Sequence, residues 1–183
     1  MAVDERTEKA RSVRQPPGWY RRLPPTLQRV AAQSDRVPSI RLEVDLPLRG
    51  AVEALCGVLK TGRPADVEAL SQRIADGICR RLGVPPVVVR VRERRPALRG
   101  GELHGLYTPG NGRGRDHIEV WMRTLKRDQI VAYRTFLRTL IHELCHHLDY
   151  QLLHLRDSLH TQGFYQRESS LFAALGAFEV GGR

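Results

Sequence analysis

Lysine is almost absent from this chain: Lys9, Lys60 and Lys126 are the only three, so the formal charge of +10 rests on arginine. No five basic residues are consecutive, which excludes a polybasic tail. The densest cluster, Arg90, Arg92, Arg94, Arg95 and Arg99, is broken by Glu93. Nucleic-acid contact through it is therefore the less favoured reading. Cysteine is scarce too. Cys56, Cys79 and Cys145 are odd in number and unpaired by spacing, which excludes a disulfide framework. They read as reduced core thiols of a cytoplasmic protein. No run approaches the ~20 apolar residues of a membrane span, so no membrane partner is expected. Residues 1–6 lack the apolar core of a signal peptide. Repeats and low-complexity tracts are missing as well.

What is present suffices for one domain, since 183 residues can bury a substantial core. Residues 1–38 read as a basic, proline-containing, flexible arm, broken by Pro16-Pro17-Gly18 and Pro24-Pro25. Trp19-Tyr20 is expected to pin this arm onto its own domain. The domain proper is placed at residues 39–183. Ile40, Leu42, Val44 and Leu46 alternate as a short strand or extended lead-in. Residues 48–60 read as a helix stopped by Thr61-Gly62, and Pro64 starts a second that ends at Gly83. Three candidate strands follow, at residues 87–91, 102–107 and 117–122. In the third, Ile118, Val120 and Met122 share one face, with Glu119 and Trp121 on the other. Residues 109–114 read as a flexible hairpin tip. Residues 128–153 contain no Gly or Pro and predict a helix of about seven turns, apolar on more than one side. A short helix is expected near 166–177. The order predicts an α+β fold with a small three- to four-stranded sheet.

Inside the long helix lies His142-Glu143-Leu144-Cys145-His146-His147, which contains H-E-x-x-H. A spacing of four puts His142 and His146 on one helix face, where both imidazoles can hold one Zn²⁺. Glu143 can then reach a water at the metal without being a ligand. Two histidines and a glutamate in a buried helix are costly unless paired or metal-bound. A third protein ligand is needed. His154 would lie about 12 Å along the axis from His146, too far to share the ion, so the chain must turn back. His160 is the candidate; Glu168, Asp149 and Asp157 are the rivals, with Asp149 also placed to orient an imidazole. Cys145 reads as core packing rather than as a ligand.

The pattern His142-Glu143-x-x-His146, a gap, then His160-x-x-Gly163-Phe164 resembles the SprT-like zinc metalloproteases, in which a third His precedes an aromatic residue by four positions. Residues 103–107 (LHGLY) and 118–122 (IEVWM) resemble that family's glycine-containing strand and the strand before its active-site helix. The likeness spans roughly residues 45–178. The paired cysteines of the zinc ribbon that many members carry are absent. The resemblance implies a minimal zincin-like domain with N-terminal helices, a long active-site helix and a short C-terminal helix. It also implies a zinc-dependent peptidase with His142, His146 and His160 on Zn²⁺, Glu143 as general base, and a protein or peptide substrate. The strand just before the helix is expected to border the cleft and pair with an extended peptide. Tyr165 and His147 are candidates for a second oxyanion donor. The alternative reading is a non-catalytic zincin-like regulatory module that binds peptide or DNA.

Overall fold

The computed structural model of the chain describes residues 18–98, 101–110 and 114–176. Among these, five helices and a small three-stranded mixed sheet form an α+β domain. A 3-10 turn (Gly18–Arg22) leads into α1 (Pro25–Asp35), α2 (Leu46–Thr61) and α3 (Pro64–Leu82). Then come β1 (Val88–Arg94), β2 (Ala97–Leu98), β3 (Gly101–Glu102), β4 (Gly105–Thr108) and β5 (His117–Arg123), followed by α4 (Tyr133–Gln151) and α5 (Gln162–Ala174).

The first long helices start and stop where their sequence chemistry dictates. Asp45 caps α2 by accepting from the Leu48 N–H at 2.9 Å. Gly62 and Gly83 end α2 and α3 at φ of 70° and 66°, a left-handed conformation that a side chain would oppose. The sheet order is β1-β5-β4, with β5 parallel to β1 and antiparallel to β4. Val89 pairs with Ile118 and Val91 with Val120, so alternate residues fall on one face. That face joins Leu55 and Leu59 of α2, Ile74 and Ile78 of α3, and Leu137, Leu140, Leu144 and Leu148 of α4 in one buried core.

Several expectations need correction. The strand before α4 is not an edge: β5 is central, and β4 is the edge strand that faces α4. Alternation shows which face is apolar but not which strands are neighbours. Trp121, expected on the outer face beside Glu119, is buried. The strand foreseen over 102–107 is two short pieces, one in the β2–β3 ladder and one in the main sheet. Residues 128–132 precede α4 instead of extending it. Asp128 has φ 50°, the Thr124 N–H donates to Gln129 O at 2.9 Å, and the Val131 N–H donates to Met122 O at 2.9 Å. Ile130 and Val131 fit the helical stripe yet serve this return along β5. The C-terminal helix starts four residues early because Thr161 caps it, accepting from the Phe164 N–H at 3.1 Å.

The largest revision concerns residues 18–38 of the expected flexible arm, which are folded onto the domain. Pro25 occupies the first turn of α1, where its missing N–H is no loss. Tyr20, Val30, Ala31 and Ser34 are buried, and Trp19 meets Tyr20 edge to face at 4.4 Å. Residues 1–17 of that arm, the tip at 111–113, Arg99 and the end of the foreseen last helix lie outside the described residues.

Candidate metal centre

Helix α4 presents His142 and His146 one turn apart on one face. The chain leaves α4, turns through residues 152–159, and brings back His160 immediately before the cap of α5. His160 Nε2 lies 2.9 Å from His142 Nε2 and 3.1 Å from His146 Nε2. Phe164, one turn into α5, is fully buried beneath the three rings, at centroid distances of 4.7, 5.0 and 5.1 Å. The aromatic four positions after His160 thus forms the floor of the cluster.

The other ring nitrogens determine what the cluster can do. His142 Nδ1 lies 2.9 Å from Glu168 Oε2, an oxygen that accepts, so Nδ1 carries the proton and Nε2 a lone pair. His146 Nδ1 lies 2.7 Å from Ser158 Oγ, whose own proton goes to Asp149 Oδ2 at 2.8 Å. Ser158 must therefore accept from His146, and His146 Nε2 also presents a lone pair. Burial, with His142 and His160 beside it, pushes the His146 pKa down to about 3. Burial and His142 likewise lower that of His160. Three imidazole nitrogens brought this close together, two of them on rings oriented through their other nitrogen, offer a set of ligands to one cation. A tetrahedral ion with N ligands at about 2.0–2.1 Å separates them by roughly 3.3 Å, near the two His160 distances, and all three nitrogens lie within 4.8 Å of one another. The three histidines could hold a metal ion.

His160, and not its rivals, meets the two helical histidines. Glu168 stands behind His142 and also accepts from Arg138 Nη1 at 2.7 Å. Burial works against its charge, but the His142 N–H and the Arg138 guanidinium outweigh it and hold the carboxyl below its usual value. Asp149 is fully buried and reaches His146 only through Ser158. Asp157 accepts from the Ser158 N–H at 2.8 Å and so shapes the returning loop.

Glu143 faces the edge strand. It is nearly buried, and burial pushes its pKa up to about 7, against the pull of His142 and a backbone hydrogen bond from Tyr107. Gly105 makes room for it. A Cβ there would come within 2.5 Å of Glu143 Oε1 and 2.8 Å of Thr139 Cγ2, a space no side chain can share. Two clefts open from this point. One of about 730 Å³ runs between Leu103–Gly105, the start of α4, and Tyr165 and Phe172 of α5. The other, about 300 Å³, continues past Leu106 and Tyr107 over His146 and His160. Both include Gly105, His142 and Glu143, so they form one groove along β4 with the histidines at its middle.

Tyr165 is half exposed and stacks on His160 at 5.8 Å, within reach of the groove. His147 is excluded as a donor to it. One residue past His146 it points elsewhere, fully buried, with Nδ1 3.0 Å from Asp116 Oδ2 and Nε2 2.9 Å from Pro85 O. Sequence reasoning missed Tyr107, Asp116 and Ser158. Asp116 also accepts from Tyr107 Oη at 2.9 Å and the Gly110 N–H at 2.8 Å, which ties the end of β4 to the start of β5. Burial opposes its charge, yet these donors, Gln151 and His147 keep its carboxyl below the ordinary range. Single polar side chains at strand ends and in loops carry no periodic signal that could have found them. Arg138 was detectable, since it lies four positions before His142 on α4.

Three arginines of the cluster have partners within the fold: Arg90 pairs with Glu68 at 3.1 Å, Arg92 with Glu119 at 2.7 Å, and Arg94 donates to Leu125 O at 2.9 Å. Among the described residues, no helix is long and apolar enough to cross a membrane. Comparison with protein-family models, with curated proteins and with solved structures gave no match.

Proposed function

We propose that this protein is a zinc-dependent peptidase of the SprT-like kind, with His142, His146 and His160 as ligands of Zn²⁺ and Glu143 as general base. One observation carries the reading: the ring nitrogens of three histidines converge beside a buried carboxylate, in the middle of an open groove. Zinc held there supplies a Lewis acid that lowers the pKa of a coordinated water toward about 7 and polarises a carbonyl. The chain's residues do the rest. The Glu143 carboxylate accepts the proton of the attacking water and delivers it to the departing amine nitrogen. Glu168 and Ser158 keep the His142 and His146 rings oriented. An extended peptide laid along β4 would pass Gly105, where the absent side chain lets Glu143 lie against the strand. Tyr165, whose ring stacks on His160 and lines the groove, is the candidate donor to charge on the substrate oxygen. The three free cysteines fit a reducing compartment, and we place the protein in the cytoplasm.

Glu143→Gln tests the reading, because it preserves size but cannot accept a proton. The expected variant keeps about one Zn²⁺ per chain and its stability, and loses about 10²–10⁴-fold of the cleavage rate on an unfolded protein substrate. Equal activity of the two proteins would remove the catalytic assignment and leave a peptide-binding regulatory module. A folded wild type that takes up no zinc would remove the metal site itself.

A further inference from the structure

The segment before α2 does more than cover the core. Its end is wired by buried polar contacts into both sides of the histidine cluster. On one side, Asp35 Oδ1 accepts from the Gly163 N–H at 2.6 Å, and Tyr20 Oη donates to Asp35 Oδ2 at 2.9 Å. Tyr20 Oη in turn accepts from the Gln162 N–H at 3.1 Å. Ser34 Oγ lies 2.8 Å from Thr161 Oγ1, the residue that caps α5 and directly follows His160. The approach is close: a Cβ on Gly163 would fall 2.4 Å from Ser34 O. Two free backbone donors at the start of α5, those of Gln162 and Gly163, are thus satisfied from the N-terminal segment rather than by solvent.

On the other side stands Arg167, fully buried. Its Nη1 donates to Ser34 O and to Val37 O, both at 2.7 Å, and its Nη2 to Ser34 Oγ at 2.9 Å and to Asp149 Oδ1 at 2.7 Å. Asp149 Oδ2 receives Ser158, and Ser158 receives His146 Nδ1. A continuous chain of hydrogen bonds therefore runs from the end of α1 through α5 and α4 to a histidine ring. Burial pushes the Asp149 carboxyl up, and the Arg167 guanidinium and the Ser158 hydroxyl pull against it. With Ser34, Arg167 and Asp149 fully buried, the chain is stable only when each member is in place.

We propose that residues 18–37 are a positioning clamp for the metal centre: they fix His160 through Thr161–Gly163 and His146 through Arg167, Asp149 and Ser158. The zinc affinity of the two pieces of chain that form the site then depends on a segment that touches none of the ligands. This rests on the zinc reading above, but its mechanical part does not need the metal.

The experiment uses the full chain with Asp35→Ala, Asp35→Asn and Tyr20→Phe, and Val52→Ala as a core control remote from the network. Zinc affinity is read by competition with a chromophoric chelator. Hydrogen exchange at the His160 and Thr161 amides is read in the metal-free protein, since neither Asp35 nor Tyr20 bonds to those groups. Outer partners of metal ligands typically contribute 10–100-fold in affinity. Asp35→Ala should therefore weaken zinc binding by about 10-fold and speed exchange at both amides. Asp35→Asn keeps an acceptor for the Gly163 N–H and should recover most of that loss. Val52→Ala should lower the melting temperature and change neither readout. If Asp35→Ala does not fold, Tyr20→Phe decides, because it keeps the ring and removes one hydroxyl; about a 3-fold loss is expected. Wild-type affinity and wild-type exchange in the folded Asp35 or Tyr20 variants would overturn the clamp. Wild type that binds no zinc would overturn the proposed function instead, and the exchange measurement would then judge the clamp alone.

Discussion

The two outer edges of the sheet differ in what borders them. Along β1, side chains of α3 satisfy the outward backbone: Gln72 accepts from the Val89 N–H at 2.8 Å and donates to Val87 O at 2.9 Å, and Glu68 accepts from the Val91 N–H at 2.9 Å. No strand can add there without displacing them, which guards against edge-to-edge association. Along β4 the Tyr107 N–H goes to Glu143 of α4, and what borders the strand beyond that is a groove. Gly105 has no side chain, Leu106 is 40% exposed, and the groove with its histidines lies alongside. An open edge is a liability in most proteins. Under the function proposed above, the strand bordered by the groove is the one that would receive an extended chain.

The contrast can be broken from either side. Filling the open edge should have the largest effect. Gly105→Val places carbons where Glu143 now stands, and a displacement of about 1 Å in a catalytic group can cost 10²-fold. We expect at least that loss in kcat/KM with zinc content unchanged, measured by steady-state proteolysis and metal analysis. Opening the closed edge comes next. Gln72→Ala leaves backbone groups of β1 without partners and should cost about 1–3 kcal/mol of stability in denaturant unfolding, with kcat unaltered. Trimming the rim of the groove is milder. Leu106→Ala removes exposed apolar surface that only a bound substrate would cover, and should raise KM by about 3- to 10-fold while leaving kcat within a factor of two. Smallest is the charge layer. Arg92→Ala severs a partly exposed pair with Glu119, a change of about 0.2–1 kcal/mol in thermal unfolding that fades with salt.

How much of this was legible depended on whether position or partnership had to be inferred. His142, Glu143 and His146 could be read because a helix converts spacing into a face, and α4 is apolar enough to be recognised as a helix. His160 was harder, since nothing in a spacing of fourteen residues says how a loop returns. Glu168 is as near to His142 in space as His160 is, and only the geometry shows that it bonds Nδ1 rather than sharing the Nε2 side. Residues 18–37 were the least legible. Pro24-Pro25 suggested breakage where they mark a helix start, and the buried face of α1 is just Val30, Ala31 and Ser34. A serine on that face carries no hydrophobic signal, although it lies at the centre of the contacts with Arg167 and Thr161. The order of the strands was equally hidden, because alternation is the same for a central strand as for an edge.

Cys145 sits on α4 between the two helical histidines in sequence, turned inward and fully buried, with its thiol pushed well above its usual pKa by that burial. Cys79 on α3 is buried too, its pKa raised to about 11, while Cys56 on α2 is partly accessible. Thiolate, not thiol, attacks a labelling reagent, so the two buried cysteines react only in the moments when their helices leave the core. The molecule therefore carries two internal clocks of opening, one behind the histidine cluster and one beneath the sheet, and a faster surface reaction at Cys56 against which to time them. Zinc in the cluster should slow the clock at Cys145 more than the one at Cys79, so modification rates measured on unaltered protein would report how far the grip of the metal extends into the core.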